Sequence, residues 1–166
     1  MKLSSFFGII IAAALLATCH SQKNSTDQNS AAEQSWKQDT IVISFERTAC
    51  FGKCPTFKAD FYGDGKVLYH GMNNVENKGH FQGKVDKDQL EILYKKAEAI
   101  TFFQMDDKYD GNITDVPSQI YFVEMYGKKK KIVARYKTPL ALNDFGTMID
   151  GVLSGIKWKL VEGTDD

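Results

Sequence analysis

Proline, histidine and cysteine each occur only three times in 166 residues, and 21 basic residues balance 21 acidic ones, so the formal net charge is zero. So little proline, alongside 13 glycines, excludes a collagenous or wholly low-complexity chain. Balanced charge leaves no basic field to gather phosphates, so nucleic acid is not an expected partner. Chemical signatures are missing as well. There is no GxSxG elbow, no Walker or Rossmann glycine pattern, no HExxH, and no carboxylate pair spaced on a defined element for acid–base work. The sequence therefore names no catalytic residue, no metal-ligand set and no cofactor. What it does hold is 43% hydrophobic and 12% aromatic residues, enough for a packed core in a chain long enough for one ordinary domain and too short for two large ones.

The first residues read as an address. Lys2 supplies a positive charge, and Phe6 to Ala17 is apolar throughout, too short for a comfortable bilayer span and the length of a secretory h-region. Residues 1–18 are therefore expected to be a signal peptide. Leu16-Ala17-Thr18-Cys19 resembles the lipobox of bacterial lipoproteins, with Thr18 in place of the usual Gly, Ala or Ser. The resemblance implies lipidation of Cys19 and attachment to the membrane through acyl chains, because no polybasic patch adjoins it. Residues 19–39 are rich in Ser, Asn and Gln, with Trp36 as the one large apolar group, and read as a flexible tether. A single domain is expected over 40–160, and a disordered tail over 161–166.

Periodicity within the domain predicts an α+β fold. Ile41, Ile43 and Phe45 alternate with Val42, Ser44 and Glu46, and Phe57, Ala59 and Phe61 alternate with Lys58, Asp60 and Tyr62, the pattern of half-buried strands. Gly63-Asp64-Gly65 marks a tight turn from which Lys66 to Gly71 returns. His80 to Val85 can form a fourth strand. Asp86 with Gln89 has capping-box spacing, and Leu90, Leu93, Ala97 and Ile100 recur at helical intervals. Gln119 to Tyr126 and Lys130 to Tyr136 bracket Gly127 as a second hairpin. Phe145, Met148, Ile149, Val152, Leu153 and Ile156 form one helical stripe, expected to start at Asn143 and end near Trp158. The order ββββ-α-ββ-α implies an antiparallel sheet with two helices packed on one face.

Cys50-Phe51-Gly52-Lys53-Cys54-Pro55 lies between the first two strands. In the oxidising compartment implied by the signal peptide, Cys50 and Cys54 are expected to form a disulfide that stiffens the loop. Phe51, at the loop tip, and Lys53 are then candidate contact residues. CxxxCP also resembles the copper-binding segment of periplasmic copper chaperones, and that resemblance implies thiols at Cys50 and Cys54 completed by a distant His. Two features argue otherwise. The residues after Pro55 alternate as a strand rather than a helix. If Asp64 centres the first hairpin, His70 faces Lys58, about 13 Å along the strand from Cys54. His70 and His80 become cross-strand neighbours if their hairpin is symmetric about Val75.

Asp106, Asp107, Asp110 and Asp115 surround Gly111, but Lys108 and Pro117 occupy places where a calcium loop needs oxygen ligands, so a solvated acidic loop is expected. Lys128 to Lys131 reads as a charged hairpin tip that protects the sheet edge. The stretch Ile43 to Pro55 with its RTxCFGxCP pattern, then Tyr62-Gly63-Asp64-Gly65, Thr114-Asp115-Val116-Pro117-Ser118 and the Gly127-Lys128 hairpin, resembles a family of bacterial envelope proteins defined only by a domain of unknown function. The resemblance runs from about Ile41 to Val152 and implies a secreted or lipid-anchored domain without an established reaction. Asp115 is expected to brace a turn, with a binding role as the alternative. The functional expectation is a lipid-anchored envelope protein, in the outer membrane facing the periplasm, acting as a non-enzymatic binding or scaffolding module toward an envelope protein or glycan; the alternative is a periplasmic thiol-redox or copper-handling protein that uses Cys50 and Cys54 as thiols.

Overall fold

A computed structural model describes residues 39–161, all within one compact unit. The signal peptide, Cys19, the tether up to residue 38 and the tail beyond Val161 lie outside the described residues. Strands β1 (Ile41–Arg47), β2 (Thr56–Tyr62), β3 (Lys66–Asn73) and β4 (Gly79–Lys84) are followed by helix α1 (Lys87–Ala99) and a single 3-10 turn at Phe102–Gln104. Then come β5 (Lys108–Tyr109), β6 (Gln119–Met125), β7 (Lys128–Ala134), helix α2 (Leu140–Ser154) and β8 (Lys159–Leu160). The long strands and the helices keep the expected chain order. The two-residue strands β5 and β8 were not anticipated, and they enlarge the sheet to eight strands in the order β5-β7-β6-β1-β2-β3-β4-β8. All pairings are antiparallel except β5 with β7.

Local chemistry sets the hairpins. Phe61 pairs with Val67, which centres the first hairpin on Asp64. Gly65 takes φ 84° and donates to the Tyr62 carbonyl at 3.0 Å. A side chain there would drive its Cβ to 2.4 Å from the Val85 carbonyl oxygen, so only glycine fits. Gly71 pairs with Gly79 and His70 with His80, the register symmetric about Val75. At the second hairpin Tyr126 and Gly127 have φ 51° and 73°, the paired left-handed residues of a type I′ turn. That shortest loop starts β7 at Lys128, two residues before the expected start. Lys128 to Lys131 therefore forms strand rather than the hairpin tip.

The two helices differ in how they begin. Asp86 accepts from the Gln89 backbone at 2.7 Å while Gln89 returns a bond to the Asp86 N–H at 3.0 Å, the expected capping box. α2 starts at Leu140, ahead of the expected Asn143. Its cap is Pro139, which makes no side-chain bond, so no capping side chain marks the true start. It ends at Ser154, four residues short of Trp158.

One core unites the layers. Ile43, Phe45, Ala59, Phe61, Tyr121 and Val123 on one sheet face are buried together with Leu90, Leu93 and Ala97 of α1 and Leu142, Phe145 and Ile149 of α2. Helix α2 packs tightly on the sheet at Gly146, where a Cβ would meet the Tyr121 hydroxyl at 2.6 Å and Gln119 Oε1 at 2.8 Å. The opposite face carries Glu46, Lys58, Asp60, His70, Phe122 and Lys131, all at least partly exposed. Among the described residues no helix is long and apolar enough to cross a membrane.

Candidate functional site: the disulfide loop and its cleft

The antiparallel order brings the end of β1, the start of β2, the end of β3 and the start of β6 to one end of the sheet. The loop between Arg47 and Thr56 projects there. Its first stem is tied from two sides. Arg47 forms an ion pair with Asp150 of α2 and lies over the Phe45 ring, 5.2 Å from its centre. Thr48 donates its backbone N–H to the Ser118 carbonyl at 3.0 Å, and its hydroxyl oxygen accepts from the Ser118 N–H at 2.8 Å. Ser118 in turn accepts from Arg135 Nε at 3.2 Å. At the second stem the Cys54 carbonyl accepts from Asn74 Nδ2 at 3.1 Å and from the Thr56 hydroxyl at 3.4 Å.

Cys50 and Cys54 are joined in a disulfide, their Cα atoms 5.7 Å apart. Gly52 N–H donates to Cys50 Sγ at 3.2 Å, so the bend closes on its own sulfur. Phe51 is 90% exposed on this closed ring, and Lys53 is exposed beside it. A ring of five residues contributes about 2 kcal/mol by chain-entropy reasoning. That is enough to limit one loop's conformations, and the stem bonds do the rest.

Below the loop lies a cleft of about 540 Å³ between Pro55, the segment from Asn74 to Asn77, the end of α2 and Trp158. Its floor is a ladder of rings: Phe57 stacks on Tyr69 with centres 5.4 Å apart, and Tyr69 meets Trp158 at 5.1 Å. Burial raises the Tyr69 hydroxyl above its ordinary pKa, and the nearby Asp150 carboxylate adds to the shift. Sequence reasoning missed this cleft. The apolar stripe of α2 points to a helix end near Trp158, and no local pattern links that residue to Tyr69.

Other candidate groups are placed apart. His70 and His80 stack on the opposite sheet face with ring centres 4.0 Å apart. The Lys58–His70 pairing keeps them about 13 Å along β2 from Cys54. Pro55 leads into strand β2 rather than a helix, as the copper-chaperone resemblance would have required. Asp110 flanks β5, five strand positions and about 24 Å across the sheet from His70 on β3. Asp107 pairs with Lys130, and Asp110 pairs with Lys108 at 2.9 Å. That hydrogen bond, with one from Gly111 N–H, holds the Asp110 carboxyl below its ordinary pKa. The acidic loop is thus partly an ion-paired strand. Asp115 turns the chain with φ 67° and is exposed, on the segment that leads to Ser118. A hollow of about 530 Å³ on the uncovered sheet face holds two ion pairs, Lys58 with Asp60 at 2.7 Å and Lys129 with Glu124 at 3.3 Å, beside Asp39, Glu46 and Lys131.

The segment Arg47 to Pro55 and the segment Thr114 to Ser118 thus form one interlocked unit, and residues 41–153 match the family profile described as "Domain of unknown function (DUF6438)". The chain belongs to this family. The DUF6438 match covers β1 through nearly all of α2, so it takes in the disulfide loop and most of the cleft but stops short of Trp158. No curated protein matches the chain.

Proposed function

We propose that this protein is a lipid-anchored component of the bacterial cell envelope, facing the periplasm from the outer membrane. In this reading its DUF6438 domain is a non-enzymatic binding module whose contact surface is the disulfide loop. Phe51 carries the argument, because a bulky aromatic held 90% exposed on a covalently closed, doubly anchored ring serves no packing purpose. Rigid aromatic anchors of this kind lose little conformational entropy on binding, which is why they dominate interface energetics. Lys53 and Asp115 supply charged groups on neighbouring loops. The anchor and address rest on the apolar run before Cys19 and its lipobox-like residues.

Cys50 and Cys54 are bonded to each other, and among the described residues no group of three or more His, Cys, Asp or Glu side chains is arranged to hold a metal. The redox or copper-handling alternative therefore has no specific observation in its favour. Three measurements test the proposal. Palmitate labelling in cells should mark the wild-type chain and not Cys19→Ala. Thiol reagents should modify Cys50 and Cys54 only after reduction. In-cell cross-linking should give adducts that disappear in Phe51→Ala while expression and melting are unchanged. Free thiols in envelope preparations, or adducts indifferent to Phe51, would refute the loop as an inert contact surface.

A further inference from the structure

The geometry points to a second recognition site in this domain: the cleft beneath the disulfide loop binds a neutral saccharide, taking the apolar face of a sugar ring on Trp158 and its hydroxyls on the polar rim. This rests on reading the domain as a binding module, but not on Phe51 being its contact.

The aromatic wall is preorganised. Trp158 is only partly buried, and its six-membered ring leans on strand β4 at Gly83, where an added Cβ would lie 3.0 Å from Trp158 Cε3. It also meets the Tyr69 ring at a tilt of 39°, and Tyr69 is itself stacked on Phe57. The indole is therefore held at a fixed angle with part of its surface open to the cleft. A fixed aromatic plane suits the flat C–H face of a pyranose and costs little ordering entropy on binding.

The rim has the matching polar chemistry. Asn74 and Asn77 offer carboxamides, which both donate and accept as sugar hydroxyls do, and Ser154, whose hydroxyl donates to the Gly151 carbonyl at 2.8 Å, offers its oxygen as an acceptor. The bond from Asn74 to the Cys54 carbonyl holds that amide in place. Charge then narrows the ligand class. The lining contains two carboxylates, Glu76 and Asp150, and no lysine, arginine or histidine. Asp150 is already paired with Arg47. Nothing in the cleft would compensate a phosphate or uronate, and burying one beside Glu76 would be unfavourable. A purely apolar ligand would strand the carboxamides without partners. The volume, about 540 Å³, falls within the range of small-ligand clefts.

The test is isothermal titration of the full chain with chitotetraose and maltotetraose as neutral probes, tetragalacturonate as an anionic one and pentalysine as a cationic peptide. At least one neutral tetrasaccharide should bind with a Kd on the order of 1 mM or tighter, and tetragalacturonate should not bind. Trp158→Ala should weaken binding roughly tenfold or more. Because that variant removes packing, Ser154→Arg provides an independent block from an exposed position and should abolish binding without lowering the melting temperature. Phe51→Ala should leave saccharide binding intact, so failure of the loop reading and failure of the cleft are told apart. The inference is overturned if no neutral probe binds, if tetragalacturonate or pentalysine binds in preference, or if binding survives both Trp158→Ala and Ser154→Arg.

Discussion

Thr48 and Ser118 clasp each other across 70 residues of sequence: the Thr48 N–H donates to the Ser118 carbonyl, and the Ser118 N–H donates to the Thr48 hydroxyl. Two segments that looked separate in the sequence, RTxCFGxCP and TDVPS, are thereby one structure. The clasp fixes where the disulfide loop emerges, and through Arg135 it also reaches the end of β7. Thr48→Ala leaves the buried Ser118 N–H without its acceptor and should cost about 1.5 kcal/mol in urea unfolding, with Thr48→Ser restoring most of it. A loss below about 0.3 kcal/mol would show that water replaces the hydroxyl and that the clasp is incidental.

Removing the disulfide should trim stability without abolishing the fold. The Cys50→Ser, Cys54→Ser double variant is expected to lose about 2 kcal/mol in chemical denaturation while keeping its far-ultraviolet circular dichroism. Trypsin should then cut at Lys53 faster than in the oxidised protein, because the open loop can adopt the extended conformation that a protease needs. Complete unfolding of this variant would show that the ring supports the core rather than the loop alone.

Two glycines of α2 should respond with opposite signs to the same substitution. Gly151→Ala meets nothing within 4 Å and gains helix propensity, so it should stabilise by up to about 1 kcal/mol. Gly146→Ala meets the Tyr121 hydroxyl, Gln119 and Phe45, the last fully buried, and should destabilise by about 1–2 kcal/mol after the same propensity gain. Equal effects in thermal melts would mean that α2 does not sit against β6 as closely as described.

Alkali should unfold the domain through its tyrosines. Tyr69, Tyr94 and Tyr121 all have hydroxyls raised above the ordinary value, in each case first by burial. Asp150 adds to the rise at Tyr69 and Glu124 to that at Tyr94, whereas at Tyr121 Arg47 opposes it. A raised folded pKa means that the native state holds protons the unfolded chain has released. Stability is therefore full below the unfolded pKa near 10 and declines as pH climbs above it. The share of the 295 nm phenolate absorbance that Tyr94→Phe removes should appear together with unfolding rather than before it, and the same substitution should flatten the decline. That share appearing well ahead of unfolding would place the Tyr94 ring at the surface.

Local signals carried most of the secondary structure. The glycines around Asp64, the Asp86–Gln89 capping box and the alternation in β1 and β2 act within a few residues, so their consequences are visible in the sequence. The misplacements have local causes too. α2 lacks a capping side chain at its true start, so the sequence points to Asn143 instead, and the two-residue Tyr126–Gly127 turn is tighter than the lysine run suggests. The short strands β5 and β8 have no pattern of their own. Each becomes strand because a remote edge supplies hydrogen-bond partners, Val133 and Ala134 for β5 and Phe81 and Gln82 for β8.

By itself the sequence determined the α+β class, the hairpin about Asp64, the first helix and the loop in which Cys50 and Cys54 meet, because each depends on steric and hydrogen-bonding preferences within a short span. Tertiary structure alone decided that Arg47 meets Asp150 from 103 residues away, that Trp158 leans on Gly83 beside Tyr69, and that an aromatic cleft opens beside Pro55. Such contacts follow from how the whole sheet and both helices bury a common core, a cooperative outcome that no stretch of residues encodes alone.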